Sequence, residues 1–215
     1  MPKKEIAIRH TTIFLAYLLV VWGFYRVLFK LPEEVEELVI KPLVWLTPLY
    51  FFLKKERLGL TSLGITFKNL FPAIYLSLIL GIIFAIEGIM VNFVRYEELD
   101  FSANIGKNPL LIALGLSLAT AISEEISFRG YLFARIWHIL KNEWKANLLL
   151  SFFWGIIHIP ISLFWWKLDF TELTGYIILT IFFGIGSSFV FARTKNVFSS
   201  ILLHVLWEWP IILFR

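Results

Sequence analysis

With 215 residues, 59% of them hydrophobic, and a mean hydropathy of +0.78, the chain exceeds the roughly 45–50% apolar content of a soluble domain. The surplus lies in long runs, which predicts one membrane-embedded domain and leaves no room for a second folded unit. The absence of cysteine excludes a disulfide scaffold and any thiolate nucleophile or metal site, while the net charge of +4 falls at the ends of apolar runs and forms no nucleic-acid-binding patch.

Seven apolar segments follow in order, at 11–29, 38–53, 70–94, 109–134, 146–166, 172–192 and 197–214. They predict an all-α, polytopic membrane helix bundle of about seven spans with an intramembrane cavity. Lys3, Lys4 and Arg9 precede the first run, as in a secretory signal. That run, however, has about the ~20 residues that cross a bilayer, is bulky (Trp22, Phe24, Tyr25), and has no small-x-small cleavage site after it. It is read as a retained first helix. The acidic run Glu33, Glu34, Glu36, Glu37 reads as a solvated loop or the first turn of the second helix. The second segment is short, contains Lys41, Pro42 and Pro48, and fits either a kinked or a re-entrant helix. Arg26 and Glu87 fall in the outer halves of their spans, where snorkelling or mutual pairing accounts for them. His10 and His138 lie near helix ends and read as surface.

With the N-terminus in the cytoplasm, twelve lysines and arginines fall in inside segments against six outside, namely Lys30, Lys41, Arg95, Lys107, Lys167 and Arg215. This bias follows the positive-inside rule. It predicts an integral protein of the cell membrane with a cytoplasmic N-terminus.

Three segments carry ionisable groups that hydrocarbon tolerates only at a cost of several kcal/mol, which marks them as candidate functional sites. The fourth holds Glu124-Glu125-Ile126-Ser127-Phe128-Arg129, the fifth Trp154-Gly155-Ile156-Ile157-His158 followed by Pro160, and the seventh His204-Val205-Leu206-Trp207-Glu208. Glu125 and Arg129, four residues apart, meet on one helix face. Glu124 points about 100° away and is left for chemistry, where a carboxylate among apolar residues suits a general base. Trp154 can wall His158 at the same spacing, Gly155 permits close helix approach, and Pro160 can kink the span beside the histidine. His204 and Glu208 share a face, a spacing that serves a metal pair or a hydrogen-bonded ionic pair. At about 1.5 Å per residue, Glu124, His158, His204 and Glu208 lie ~15, ~18, ~10 and ~16 Å from the same membrane face. Their common depth predicts a shared cavity.

In this order, Glu124-Glu125-x-x-x-Arg129-Gly130-Tyr131-Leu132, aromatic-x-x-x-His158 and His204-x-x-x-polar is similar to the CPBP family. These are CAAX proteases and bacteriocin-processing enzymes, also described as type II CAAX prenyl endopeptidase-like or Abi proteins. The resemblance covers roughly 109–214 and divides the chain into N-terminal membrane helices, 1–108, and a catalytic helical core, 109–214, within one integral domain. It implies an intramembrane endopeptidase whose conical cavity opens toward the cytosol. Glu124 and His158 would activate water, His204 and residue 208 would form the oxyanion site, and Glu125 and Arg129 would hold the site together.

Two positions depart from the family's pattern. Trp154 stands where the family has phenylalanine, a conservative change at an orienting residue, and Glu208 stands where it has Asn or Asp. A carboxyl donates to an oxyanion only when protonated. Alternatively Glu208 joins His158 and His204 as ligands of Zn²⁺, leaving an open position for water. A glutamate-dependent protease needing no cofactor and a zinc metalloprotease therefore both fit. The expected partners are the lipid bilayer and membrane-associated peptides or lipidated proteins as substrate, with no nucleic acid. Two non-proteolytic classes also fit: a non-catalytic membrane interaction or immunity protein on the same scaffold, and a proton-coupled transporter, since carboxylates and histidines also build proton relays. Haem ligation by His158 and His204 would leave the glutamates unexplained.

Overall fold

The computed structural model describes residues 1–98 and 110–213, and every regular element among them is helical. Helix α1 is Lys4–Leu28, α2 runs over 33–56, α3 is Leu70–Tyr96 and α4 runs over 110–140. They are followed by α5, Glu143–Ile157, α6, Ile159–Phe164, α7, Phe170–Thr194, and α8, Val197–Leu213. Five units are long and apolar enough to cross a membrane: α1, α3, α4, α5 together with α6, and α7. The chain is thus an integral membrane protein. Among the described residues α2 is not of that kind, and α8 holds a shorter apolar stretch, Val197–Glu208. Pro109 and Phe214, the expected ends of the fourth and seventh segments, lie outside the described residues, as do Lys107, Arg215 and the side chain of Arg95.

Burial is inverted relative to a water-soluble bundle. Large apolar side chains such as Phe71, Ile82, Leu111 and Phe182 face outward, while Ser77, Ser127, Ser151, Thr180, Ser187 and Ser199 are sealed inside. This is the pattern of helices solvated by lipid, where small and hydroxylated residues allow close contact and bond across the interface. Ser77 donates to the Ser199 carbonyl at 2.7 Å and Ser200 to the Ser187 carbonyl at 3.0 Å. Gly155 serves the close approach its position predicts, because a Cβ there would come within 2.7 Å of Ile181 Cγ1. Gly130 in the Arg-Gly motif does the same against the loop before α3, its missing Cβ lying 2.7 Å from the Leu63 carbonyl oxygen. In the packing, α8 lies along α3 and α4, α7 covers α5 and α8, and α2 packs on α4.

Local geometry explains how α2 enters the bundle. Pro42 has no N–H, so the carbonyl of Leu38 loses its amide donor. The helix responds with wider, i→i+5 turns over Glu36–Ile40, and the Lys41 amide reaches back to the Glu36 carbonyl. The acidic run is therefore not a solvated loop throughout. Glu36 and Glu37 are buried, and both bond Arg26 of α1. Arg26 neither snorkels nor pairs with Glu87, which instead accepts the Trp207 indole N–H at 3.1 Å. Nor is Lys41 a loop charge, being 3% exposed.

The other end of α2 is tied down by Glu56. Its carboxylate accepts from the Tyr131 hydroxyl at 2.7 Å, from Arg135 Nε at 2.9 Å and from Arg135 Nη2 at 2.6 Å, and meets His10 Nδ1 at 3.1 Å. His10 is consequently a core residue, not a surface one. Burial pushes the Glu56 carboxyl up, but the bonds from Arg135 and Tyr131, the Arg135 charge and the His10 bond outweigh it and hold it below the ordinary glutamate range.

Candidate active site

Helix α4 carries Ser117, Thr120 and Glu124 on successive turns, with Glu125 next to Glu124 and turned about 100° from it. Beyond Glu125 the backbone widens into i→i+5 turns over Ile126–Phe133, an irregularity that recurs at functional sites. Glu125 is fully buried and fully engaged. Its Oε1 meets Arg129 Nη1 at 3.0 Å and His204 Nδ1 at 2.8 Å, and its Oε2 accepts from Ser187 at 2.7 Å. The i,i+4 pair with Arg129 forms as its spacing predicts. Arg129 also donates to the Gly184 carbonyl at 3.2 Å and lies over the Trp154 ring at 4.4 Å.

Glu124 faces the other way, as 100° per residue requires. Its Oε1 lies 2.8 Å from Lys41 Nζ, and Lys41 also pairs with Glu37. Glu37 in turn accepts from the Thr120 hydroxyl. Sequence reasoning missed Lys41 and Glu37. The one available signal was Glu37 and Lys41 at i,i+4, which the dense local charge made look like a solvated face.

His158 sits where the fifth segment breaks. Its amide bonds the Gly155 carbonyl at 3.1 Å, one residue short of the α-helical partner, and α6 restarts with Pro160 in its first turn. The Trp154 carbonyl is thereby freed, and His158 Nδ1 takes it at 2.7 Å. That bond assigns the hydrogen to Nδ1 and leaves Nε2 with the lone pair in the neutral ring. The indole of Trp154 flanks both imidazoles, with ring centres 4.9 Å from His158 and 5.9 Å from His204. Glu124 lies within electrostatic reach of both rings.

His204 is clamped between two carboxylates, Glu125 on Nδ1 and Glu208 on Nε2 at 3.2 Å. Glu208 accepts from Ser117 through its other oxygen. Six of the expected residues are joined by contacts: Trp154 touches His158, His204 and Arg129, Glu125 links Arg129 to His204, and His204 meets Glu208, whereas the contact of Glu124 is with Lys41. His158, His204 and Glu208 do not form a three-ligand metal group, and no such group of His, Asp and Glu side chains occurs among the described residues. Both ring nitrogens of His204 face carboxylates and His158 Nδ1 faces a carbonyl, so the proposed zinc ligands do not fit a metal as they are arranged.

No curated protein and no solved structure matches the chain. Residues 106–210 match the family described as type II CAAX prenyl endopeptidase Rce1-like. The matched segment contains all three motifs, from Glu124 through His158 to Glu208. The match over residues 106–210 supports the CPBP family of CAAX proteases for this integral membrane chain.

Proposed function

We propose that the chain hydrolyses peptide bonds of membrane-associated or lipidated peptides, with Glu124 and His158 activating the water. The observation that carries this reading is the state of His158. Its Nδ1–H is committed to a backbone carbonyl, its Nε2 keeps a lone pair, and the residue is half-buried, unlike the sealed groups behind it. A water between that nitrogen and the Glu124 carboxylate has two acceptors for one proton.

As the water oxygen bonds to the scissile carbonyl carbon, its proton passes to this pair. When the C–N bond breaks, the proton goes to the departing nitrogen, giving a carboxylic acid and an amine. The growing negative charge on the carbonyl oxygen needs donors placed in advance. His204 faces Glu125 through Nδ1 and Glu208 through Nε2, and we assign to it an Nε2–H that turns from Glu208 to the oxyanion. Glu125 and Arg129 hold His204 and Trp154 in register.

The test is cleavage of a quenched lipopeptide panel by purified protein and by the Glu124→Gln and His158→Ala variants. Each variant is expected to lose about 10²–10⁴-fold in kcat. Undiminished cleavage in both would overturn the water-activation reading. Absence of cleavage by the parent across the panel, with a cellular phenotype that survives both substitutions, would favour a non-catalytic membrane interaction protein. Activity that survives chelation supports the metal-free route; activity lost to chelator and restored by Zn²⁺ overturns it.

A further inference from the structure

Lys41 lies outside the family-matched segment, yet its ammonium is buried against Glu124. The groups that face it come from three helices: Glu37 of α2 itself, Glu124 of α4 at 2.8 Å, and the Trp22 ring of α1, whose centre is 5.6 Å away. Enclosing an ammonium is costly unless its partners compensate. The distribution of those partners is uneven. Glu37 also has the Arg26 guanidinium and the Thr120 hydroxyl. Among the described residues, Lys41 is the sole ion-pair partner of Glu124. Glu37 thus remains paired without Lys41, whereas Glu124 does not.

We propose that Lys41 is a positioning residue of the hydrolytic site: it fixes the direction of the Glu124 carboxylate and balances its charge, making α2 part of the working unit. The proposal rests on the reading of Glu124 as a water-activating carboxylate. It also assigns a task to the Pro42-widened turns, which seat Glu37 and Lys41 against α4. A compact ammonium with rotatable donors can hold one carboxylate oxygen and leave the other to a water.

The experiment compares Lys41→Met, Lys41→Ala, Lys41→Arg and Glu124→Gln in the full chain, with one lipopeptide substrate and a thermal unfolding control in the same detergent. Lys41→Met is expected to lower kcat about 10²-fold while KM stays within about twofold, because a misaimed catalytic group costs rate and not binding. Lys41→Arg should recover part of the loss, and ethylammonium added to Lys41→Ala should restore turnover in a saturable manner. A merely structural lysine would show neither rescue. Should Lys41→Met fail to fold, the double variant Glu37→Gln/Lys41→Met, which removes one charge of each sign, is read in the same way. A folded Lys41 variant with full kcat, or one without rescue by arginine or amine, overturns the proposal. If Glu124→Gln is inactive and Lys41→Met fully active, only this proposal falls. If Glu124→Gln is itself active, the water-activation reading falls with it.

Discussion

The two ends of α2 carry buried charge of opposite character. At the Glu56 end, both carboxylate oxygens are taken by Tyr131, Arg135 and His10, and the side chain is fully enclosed. At the Lys41 end, Glu124 has one ion-pair partner among the described residues and an 8% exposed side chain, beside a half-buried histidine whose Nε2 has no hydrogen-bond partner among them. Glu56 shows what a buried carboxylate needs in order to be purely structural, namely every lone pair answered by a donor. Glu124 lacks that closure. The unmet capacity is what a reacting water could use, and it separates a candidate site from a strut made of the same residue types.

The sharpest way to break this contrast is a crossover of two conservative substitutions. Glu124→Gln is expected to lose about 10²–10⁴-fold in turnover with little change in unfolding temperature, since Lys41 keeps Glu37. Glu56→Gln should do the reverse: it leaves the Arg135 charge buried without its partner, a defect worth about 3–5 kcal/mol of stability, while turnover per folded molecule stays near the parent's. Equal losses of stability in the two variants would erase the distinction.

A smaller effect follows from pH. The Glu56 carboxyl is held below the ordinary glutamate range in the folded protein. Its contribution is therefore present above the unfolded value of about 4.3 and is lost as pH falls through the depressed folded value. Thermal unfolding in detergent should decline across this acidic window in the parent, and less so in Glu56→Gln. An identical decline in both would remove Glu56 from the account.

The smallest expected change concerns Glu208, on the far side of His204. Glu208→Asn keeps an acceptor for Ser117 and adds an amide donor, so turnover should stay within about tenfold of the parent. Glu208→Ala, which strips the His204 Nε2 of its carboxylate, should cost more, up to about 10²-fold. Steady-state kinetics on the same panel decides the order. Alanine outperforming asparagine would show that His204 does not depend on a partner at this position.

The helical class and the main motifs were legible because each rests on local spacing. Glu125 with Arg129, Trp154 with His158, and His204 with Glu208 all lie one turn apart, and helix geometry alone brings them together. What stayed hidden was pairing between different helices. Arg26 meets Glu36 and Glu37 across a turn between helices, Lys41 meets Glu124 across 83 positions, and His10 meets Glu56 across 46. Charges dense enough to pair with each other depress local hydropathy, so the acidic run of α2 read as solvent-facing while its partners lay on α1 and α4. The break at His158 was foreshadowed by Pro160. The use of the freed Trp154 carbonyl as an anchor for the ring required coordinates.

That anchor has a consequence for how the protein could evolve. A main-chain oxygen decides which nitrogen of His158 carries hydrogen, so the tautomer is written into the path of the backbone and survives any exchange of neighbouring side chains. The ring would lose this anchor if the fifth segment became a continuous rod, in which the His158 amide takes the Trp154 carbonyl in place of that of Gly155. Drift in the side chains around it can therefore proceed while the hydrogen of His158 stays on the same nitrogen.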